Sequence, residues 1–329
     1  VWRLSRRLQI AGRGLIHFSV DPITWSLGVL SLWGHKQLEA IEIGHTSLHG
    51  TYDHLEGAEA FHSETFEWDF PVDEASWRSA HNIRHHQYTN VIGKDPDLRL
   101  GMARLSARIG HRWYHALQPA SSIGTWITFG LAIHVHSTGM LDLYLHRDGV
   151  SENLADHEPE TLRAAHRAAI GKLLRYYGRE YVMFPALAGP FFPKVLLGNL
   201  AAELMRNIYT GATIYCGHVD ATDYPEGTRA RGRGAWYAMQ VEAAHDFEVP
   251  LPLSILCGGL DYQIEHHLFP RLPPNRLREI APRIRAACEE HGVTYRAGSW
   301  PETLWKSLRQ LRKLASSEAT PDTPVHAYA

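Results

Sequence analysis

The chain has 329 residues, of which 33 are Lys or Arg and 35 are Asp or Glu, so its formal net charge at pH 7 is -2. This balance excludes the strongly basic surface of a nucleic-acid-binding domain, and we expect no nucleic-acid partner. Three widely spaced cysteines, Cys216, Cys257 and Cys288, exclude a disulfide framework and suit a reducing compartment.

The elements predicted in chain order are almost all helical. Three apolar regions, residues 22–44, 113–141 and 181–205, approach the length that a bilayer requires, although histidines dilute the second and prolines break the third. We predict membrane-spanning helices there, with buried core helices as the alternative. Three further regions predict water-facing helices: residues 76–86, 160–177 and 274–291. Because almost nothing shows the alternation of a half-buried strand, the predicted class is all-α.

No linker or change of composition divides the chain. We therefore predict one domain over residues 1–315, followed by a polar, proline-containing disordered tail over residues 316–329. The first residues lack the pattern of a cleaved signal peptide, so we expect no secretion by that route. The chain starts at Val1, and whether residues precede it is left open.

Histidine is the outlier of the composition, because the chain has 22 of them and they are clustered. In "GHTSLHG", His45 and His49 are four residues apart, which on an α-helix puts their Cβ atoms about 5–6 Å apart on one face. In "HNIRHH", His81 and His85 repeat this spacing, while His86 points about 100° further round the helix. Donors that face two directions indicate two metal ions.

A third box, "QIEHH", adds Gln263, His266 and His267 at helical spacing. The three boxes together offer more imidazoles than one tetrahedral zinc ion uses, which again favours two ions. Imidazole suits Zn, Cu, Fe and Ni, so the spacing does not choose the metal. For any single pair, an ordinary structural or surface role is the alternative.

The sequence around the boxes resembles that of the integral-membrane fatty acid desaturases, whose boxes read HxxxH, HxxxHH and QxxHH. The likeness includes "EAIEIGH", "TNVIGKDPDL" and "IYCGH" and covers about residues 10–300. It implies about four transmembrane helices in two hairpins, with a cytoplasmic helical cap that carries a di-iron site. A bacterial inner (plasma) membrane location follows from the same resemblance, with the metal site facing the cytoplasm.

The family's metal positions correspond to eight histidines of this chain. They are His45, His49, His81, His85, His86, His218, His266 and His267. His218, in "YCGHVD", matches an additional histidine of the family, with a capping or core role as the alternative. Gln263 stands where other members have a histidine, so it is a possible ligand or a residue that supports the ligands; Asp246 and His245 are possible supporting residues of the same kind. No catalytic residue beyond the metal centre is predicted.

The implied activity is the oxygen-dependent introduction of a cis double bond into a fatty acyl chain, either acyl-CoA or acyl-lipid. Two Fe ions are the implied cofactor and O2 the co-substrate, because no side-chain acid or base removes hydrogen from an unactivated methylene. The sequence has no HPGG motif of a fused cytochrome b5 domain. Electrons are therefore expected from a separate donor, which is a ferredoxin-like protein or a flavin reductase system.

Two alternatives stay open: a related di-iron membrane hydroxylase or ketolase, and a non-redox zinc-binding membrane protein. Basic residues near the boxes either hold the phosphate of an acyl carrier or lie on solvated loops; they are Lys94, Arg99, Arg112 and Arg231 or Arg233. Chain length, double-bond position, the acyl carrier, the electron donor and the oligomeric state are not determined by the sequence.

Overall fold

The computed structural model describes residues 1–100, 102–140 and 159–321. Helices predominate in these residues, which confirms the predicted all-α class, and the named strands are one parallel pair. The strands are β1 (Asp246–Glu248) and β2 (Ala297–Ser299). The α-helices are α1 (Trp2–Phe18), α2 (Pro22–Leu38), α3 (Thr46–Leu48), α4 (Glu74–Trp77), α5 (His86–Tyr88), α6 (Gln118–Ile127), α7 (Phe129–Ser137), α8 (Pro159–Gly178), α9 (Phe184–Leu187), α10 (Phe192–His218), α11 (Arg233–Glu242), α12 (Leu251–Cys257), α13 (Gln263–Leu268), α14 (Pro274–His291) and α15 (Trp300–Leu314).

Wider and tighter helical turns connect several of these helices. The π-helical segments are Glu39–His45, Arg78–His85 and Arg179–Met183. The 3-10 turns are Glu59–Phe61, Pro96–Arg99, Trp113–Leu117, Gly189–Phe191 and Leu260–Tyr262. The first π-helical segment continues α2 without a break. One long helical segment therefore runs from Pro22 to the first histidine box at His45.

Helices α1 and α2 form an antiparallel hairpin because glycines let their backbones approach closely. A Cβ placed on Gly12 would lie 2.7 Å from the backbone nitrogen of Leu32, and one on Gly28 would lie 2.8 Å from that of Ile16. Helix α10 packs along this hairpin, where Val195 is buried against Ile16 and Leu32. The segment that continues α2 ends at His45 and α10 ends at His218, so these two helices carry histidines at their ends.

Charged side chains are buried between these helices and pair with one another. Lys36 Nζ on α2 lies 2.8 Å from Glu180 Oε2 and 3.0 Å from Glu203 Oε2. Arg13 on α1 donates to Glu180 Oε1 at 2.6 Å, and Arg206 on α10 donates to Glu203. We call these five residues the ion network. Within this network, each of the two carboxylates has a cationic partner.

The predicted water-facing helices are present. Helix α14 spans residues 274–291 as predicted, and Gly292 ends it with a φ of +66°. The region 160–177 lies within α8. The region 76–86 is helical from Glu74 to Tyr88, but its middle is a π-helical segment and several of its histidines point inward, so it does not simply face water.

The three apolar regions are helical but not uniform. Residues 22–44 form α2 and most of the following π-helical segment. Residues 113–141 divide at Thr128 into α6 and α7, and Leu141 lies outside the described residues. The prolines of region 181–205 lie before α10 or, in the case of Pro193, in its first turn, and α10 runs unbroken for 27 residues. No helix in the described part combines the length and apolar character that crossing a bilayer requires.

The three cysteines are free and buried, as expected of packing residues. Cys216 and Cys257 pack together with Phe247, and Cys288, on α14, packs with Val241 and Ile264. The predicted disordered tail begins at Ser316, and from Asp322 onward it lies outside the described residues.

Candidate metal centre

The first two histidine boxes lie on or directly after π-helical segments rather than on regular α-helices. A π-helix closes hydrogen bonds between residues five apart, so such residues share a face. His81 Nε2 accordingly lies 3.2 Å from His86 Nε2. The expectation that His86 turns away from its box is therefore wrong, and it is His85 that faces a different set of rings.

The first group of rings combines all three boxes: His45, His49, His81 and His266. Their candidate ligand atoms all lie within 4.8 Å of one another. His45 Nε2 is 3.2 Å from His49 Nε2 and 3.3 Å from His81 Nε2. Residues more than 200 positions apart in the chain thus present nitrogens to one point.

The second group consists of His85, His218 and His267, whose candidate ligand atoms also lie within 4.8 Å of one another. His218 Nε2, at the end of α10, is 3.2 Å from His267 Nε2 on α13. Gln263 Nε2 lies 2.8 Å from the same His218 atom, so the glutamine of the third box belongs to this group.

His86 connects the two groups. Its ring centroid lies 4.6 Å from that of His49 and 4.4 Å from that of His267. The structure therefore brings together all eight predicted histidines in two adjoining groups. Whether each of them is a ligand stays a prediction.

Buried nitrogens without partners identify what these groups can hold. His85 Nε2, His86 Nδ1 and His266 Nε2 are buried and have no hydrogen-bond partner among the described residues. Buried polar atoms are normally paired, so orphaned nitrogens that face one another indicate an external partner. An all-imidazole donor set of this size fits two transition-metal ions, iron among them.

Burial keeps most of these rings in the form that metals bind. The pKa of His45 is lowered to about 3. Burial is the main cause, and the neighbouring His85 acts in the same direction. Burial likewise lowers the pKa of His218 to about 3. Because metal ligation requires the neutral imidazole, rings with a lowered pKa are prepared for it at neutral pH.

His85 is held differently, by two carboxylates behind it. Its Nδ1 lies 3.1 Å from both carboxylate oxygens of Asp95 and 3.4 Å from Asp97 Oδ2. Burial lowers the pKa of His85, but the negative charges of Asp95 and Asp97 outweigh it and raise the pKa to about 9. A carboxylate on Nδ1 fixes the ring so that Nε2 faces the second group. Asp97 Oδ1 in turn lies 2.9 Å from His136 Nε2.

His267 has a comparable outer contact without a charge. Its Nδ1 lies 3.1 Å from Thr89 Oγ1 and 3.2 Å from Gln240 Oε1. Thr89 also donates to the backbone oxygen of His85 at 2.8 Å. These contacts orient the ring so that its Nε2 faces His218.

The remaining predicted residues lie outside the two groups. Asp246 Oδ1 accepts a hydrogen bond of 2.9 Å from the backbone nitrogen of Ile264, and its other oxygen accepts one from Tyr295, so it anchors the third box from behind. His245 is buried, but neither of its ring nitrogens has a partner among the described residues. It lies beside Gly298 of β2 instead.

Sequence reasoning missed the residues that orient the rings. Asp95 and Asp97 belong to "TNVIGKDPDL", which carried part of the family likeness but was assigned no role. His136 was interpreted only as a polar interruption of an apolar region. Nothing in the sequence around Gln240 indicates its contact with His267, because that contact depends on packing between α11 and α13.

A narrow cavity of about 70 Å³ reaches the rings from the apolar side. Its apolar walls include Trp68, Phe70, Phe129 and Ile133, and His45, His81, His85 and His218 also line it. Trp68 and Trp77 both line this cavity, whereas Phe66 packs against the surrounding core. An apolar chain in this cavity would lie directly against the histidine groups.

Comparison with known proteins agrees with this arrangement. The model of the fatty acid desaturase family matches residues 23–299. The chain is 34% identical to NADPH-dependent stearoyl-CoA 9-desaturase of Mycobacterium tuberculosis, over 94% of this chain and 72% of that protein. It is 24% identical to sn-1 linoleoyl-lipid 6-desaturase of Arthrospira platensis, over 82% and 72%, and 28% identical to acyl-lipid (8-3)-desaturase of Physcomitrium patens, over 89% and 62%. The chain therefore belongs to the fatty acid desaturase family and is a fatty acid desaturase.

Proposed function

We propose that this desaturase introduces a cis double bond into the acyl chain of an acyl-CoA at a di-iron centre. The observation that carries the proposal is the meeting of two groups of buried imidazoles with an apolar cavity. In the overall reaction, two hydrogens leave adjacent methylenes while O2, two further electrons and two protons form two waters. Each product atom and electron is thereby accounted for.

The histidines would hold the two ions in the division that the distances favour. His45, His49, His81 and His266 would hold one ion, and His85, His218 and His267 the other, with His86 between them. When bound, the ions supply the oxidising chemistry that side-chain acids and bases lack. Asp95, Thr89 and Gln240 fix ring orientations from behind.

The apolar cavity would hold the reacting methylenes against the rings and keep water away. Its volume of about 70 Å³ is roughly that of two water molecules, so an acyl chain enters only if the lining side chains move apart. A dry site also protects reactive species from side reactions. Trp68 and Phe70 are buried side chains that line this cavity.

The relatives favour acyl-CoA and a bond near the middle of the chain. The relative at 34% identity is named for stearoyl-CoA and position 9, whereas the two lipid-specific relatives are 24% and 28% identical. We therefore propose stearoyl-CoA as the first substrate to test. The same relative is named as NADPH-dependent, which fits a donor system that draws its electrons from NADPH.

A membrane position is also part of the proposal. Lys194 Nζ donates to the backbone oxygens of His17 and Ser19, which ties the start of α10 to the α1–α2 turn. Around this junction Phe18 is 85% exposed and Val20 97% exposed. Neighbouring apolar side chains that are also exposed are Ile23, Leu187, Phe191 and Phe192. Such an apolar surface fits insertion into a lipid bilayer, and we place it in a bacterial inner membrane with the histidine-bearing end toward the cytoplasm.

Expression in a bacterial host that lacks the activity tests the proposal. Gas chromatography of the host's fatty acids, with location of the double bond, should show a new cis-unsaturated product, and the purified protein should contain two irons per chain. A hydroxy or keto product would support the related hydroxylase or ketolase instead. Bound zinc without O2 consumption would support the non-redox alternative.

A further inference from the structure

A second concavity, which we call the basic groove, lies on the outer side of the histidine groups. It has a volume of about 520 Å³. Its walls come from the loop after the second box and from the start of α11, and its cations are Lys94, Arg229 and Arg233. None of the described residues that line the groove is acidic, although the whole chain has a net charge of -2.

Local packing gives the groove its shape. Residues Arg233, Trp236 and Gln240 follow one another at helical spacing on α11, and all three line the groove. The facing loop is held by backbone hydrogen bonds between Ile92 and Tyr224, at 2.9 Å, and between Tyr224 and Asn90, at 2.8 Å. The groove therefore lies between a helix and a loop that is fixed by backbone hydrogen bonds.

The floor of the groove touches the histidine boxes from behind. Thr89 and Gln240 line it, and both contact Nδ1 of His267, whose Nε2 faces His218 in the second group. Trp236 Nε1 donates to the backbone oxygen of Gln87, the residue after His86, at 3.2 Å. One side-chain layer therefore separates the groove from the candidate metal centre.

The groove and the apolar cavity approach the centre through different residues. The apolar cavity is lined by the rings themselves, including His85 and His218, whereas no described histidine lines the groove, whose Thr89 and Gln240 stand between it and His267. The contacts of Thr89 and Gln240 with His267 close the passage between the groove and the apolar cavity. A ligand in the groove would leave the acyl cavity free.

From this geometry we infer that the basic groove is the docking site of the electron donor, a small acidic iron–sulfur protein of the ferredoxin type. This inference rests on the proposed function, because only an oxygen-dependent desaturase needs two external electrons per double bond. Two reduced ferredoxins would each give one electron and leave oxidised, and the two electrons would end in water. A basic patch speeds the encounter with an acidic partner by long-range attraction, which salt screens.

The same residues had suggested a site for an acyl carrier's phosphate, since Lys94 and Arg233 were among the candidates. The closed passage at His267 argues against that assignment, because an acyl chain attached to a carrier in the groove could not enter the apolar cavity there. Arg99, Arg112 and Arg231 do not line the groove.

Binding of a plant-type [2Fe–2S] ferredoxin to the full chain in detergent tests the inference. The triple variant Lys94→Glu, Arg229→Glu, Arg233→Glu is compared with Arg283→Glu, a control that reverses an exposed charge on α14 far from the groove in sequence. Dissociation constants are measured by biolayer interferometry at low and high salt, on iron-free and iron-loaded protein. We expect the triple variant to bind at least about 10-fold more weakly at low salt and to lose the salt dependence, in both iron states, with the control unchanged.

Reduction kinetics provide the second measurement. Ferredoxin should reduce the iron-loaded triple variant about 10-fold more slowly, while the KM for stearoyl-CoA stays at its wild-type value. If the charge-reversed protein does not fold, the triple glutamine variant of the same positions replaces it.

The outcomes separate the two proposals. Equal ferredoxin binding by wild-type and triple variant, or no binding by wild-type protein, overturns the docking site. A raised KM for stearoyl-CoA with unchanged ferredoxin binding also overturns it and assigns the groove to the acyl carrier. Failure of dithionite-reduced, iron-loaded wild-type protein to desaturate stearoyl-CoA refutes the proposed function, whatever the binding result.

Discussion

The ion network and the histidine groups are both clusters of polar side chains buried among helices, but their partners come from different places. In the ion network, Glu180 and Glu203 each lie within hydrogen-bond reach of at least two cationic side chains of the same fold. In the histidine groups, Nε2 of His85 and of His266 are buried without a partner among the described residues. Each carboxylate of the first cluster finds its cations within the fold, whereas the second cluster lacks partners for some of its nitrogens.

This difference separates a stabilising role from a functional one. The ion network joins α1, α2, α10 and the third π-helical segment, so its loss should unfold helices. The histidine groups gather imidazole rings at one place, so their loss should release metal. Arg206 shows that even the ion network is not perfectly satisfied, since two of its nitrogens lack partners while its guanidinium lies 4.3 Å from the centroid of the Phe70 ring.

The largest expected effect comes from His85→Ala. His85 belongs to the second group and to a further group with His81 and Asp97, so its loss leaves too few nitrogens to hold the second ion. We expect iron to fall from two to about one per chain and desaturation to fall at least about 100-fold, since even supporting residues are worth about 10–100-fold. Metal analysis and product chromatography measure both.

The matched control for that variant is His62→Ala. His62 is partly exposed, its Nδ1 accepts a 3.3 Å hydrogen bond from the backbone of Glu64 and lies 4.0 Å from Asp53 Oδ1, and it belongs to neither histidine group. It should keep both irons and full activity. Full desaturation by His85→Ala would instead remove the second box from the metal centre.

Substitutions in the ion network should affect stability first. Glu180→Gln leaves Arg13, Lys36 and Arg206 with Glu203 as the one remaining carboxylate of the network, so buried positive charge is uncompensated. We expect the free energy of unfolding to fall by about 3–5 kcal/mol, as for other broken buried pairs. Thermal unfolding in detergent measures the change.

Lys36→Met is the informative comparison for Glu180→Gln. It leaves two complete pairs, Arg13 with Glu180 and Arg206 with Glu203, so its cost should be smaller. Both variants should bind two irons at low temperature. Loss of iron from folded Glu180→Gln protein would contradict the separation between the two clusters.

Asp95→Asn tests how strongly the fold supports one ring. The buried Asp95 carboxylate faces His85 Nδ1, and its loss should weaken iron binding at the second group about 10–100-fold. Asp97→Asn should weaken it less, because the Asp97 side chain is 38% exposed and lies further from His85, at 3.4 Å. Competition with a chelator measures both affinities, and equal affinities for the two variants would contradict this ranking.

The sequence pattern identified eight histidines that the structure brings together, because the boxes mark them locally and the family pattern aligns them. The division of these histidines into two groups was not predicted. An α-helical spacing was assumed for the second box, whereas the chain there is π-helical and residues five apart, His81 and His86, meet. Helix α14 was predicted with correct bounds because its apolar spacing and Gly292 are local signals.

Residues whose role depends on distant partners were not predictable. Lys194 and Glu203 were interpreted as interruptions of an apolar region, yet Lys194 ties α10 to the α1–α2 turn and Glu203 belongs to the ion network. Their partners lie on other helices and become neighbours only after packing. The basic groove likewise joins two segments that are about 140 residues apart, which no local pattern reveals.

The smallest expected effect concerns His245, which belongs to neither cluster. Burial lowers its pKa to about 4, so the ring is neutral, and neither nitrogen has a partner among the described residues. Replacing an unsatisfied polar ring by an apolar side chain of similar size is close to neutral. We therefore expect His245→Leu to keep two irons, to desaturate within about twofold of wild type and to change the free energy of unfolding by less than about 1 kcal/mol. Loss of one iron from the His245→Leu variant would instead show that this buried ring takes part in metal binding. His245 would then have to be counted among the histidine groups.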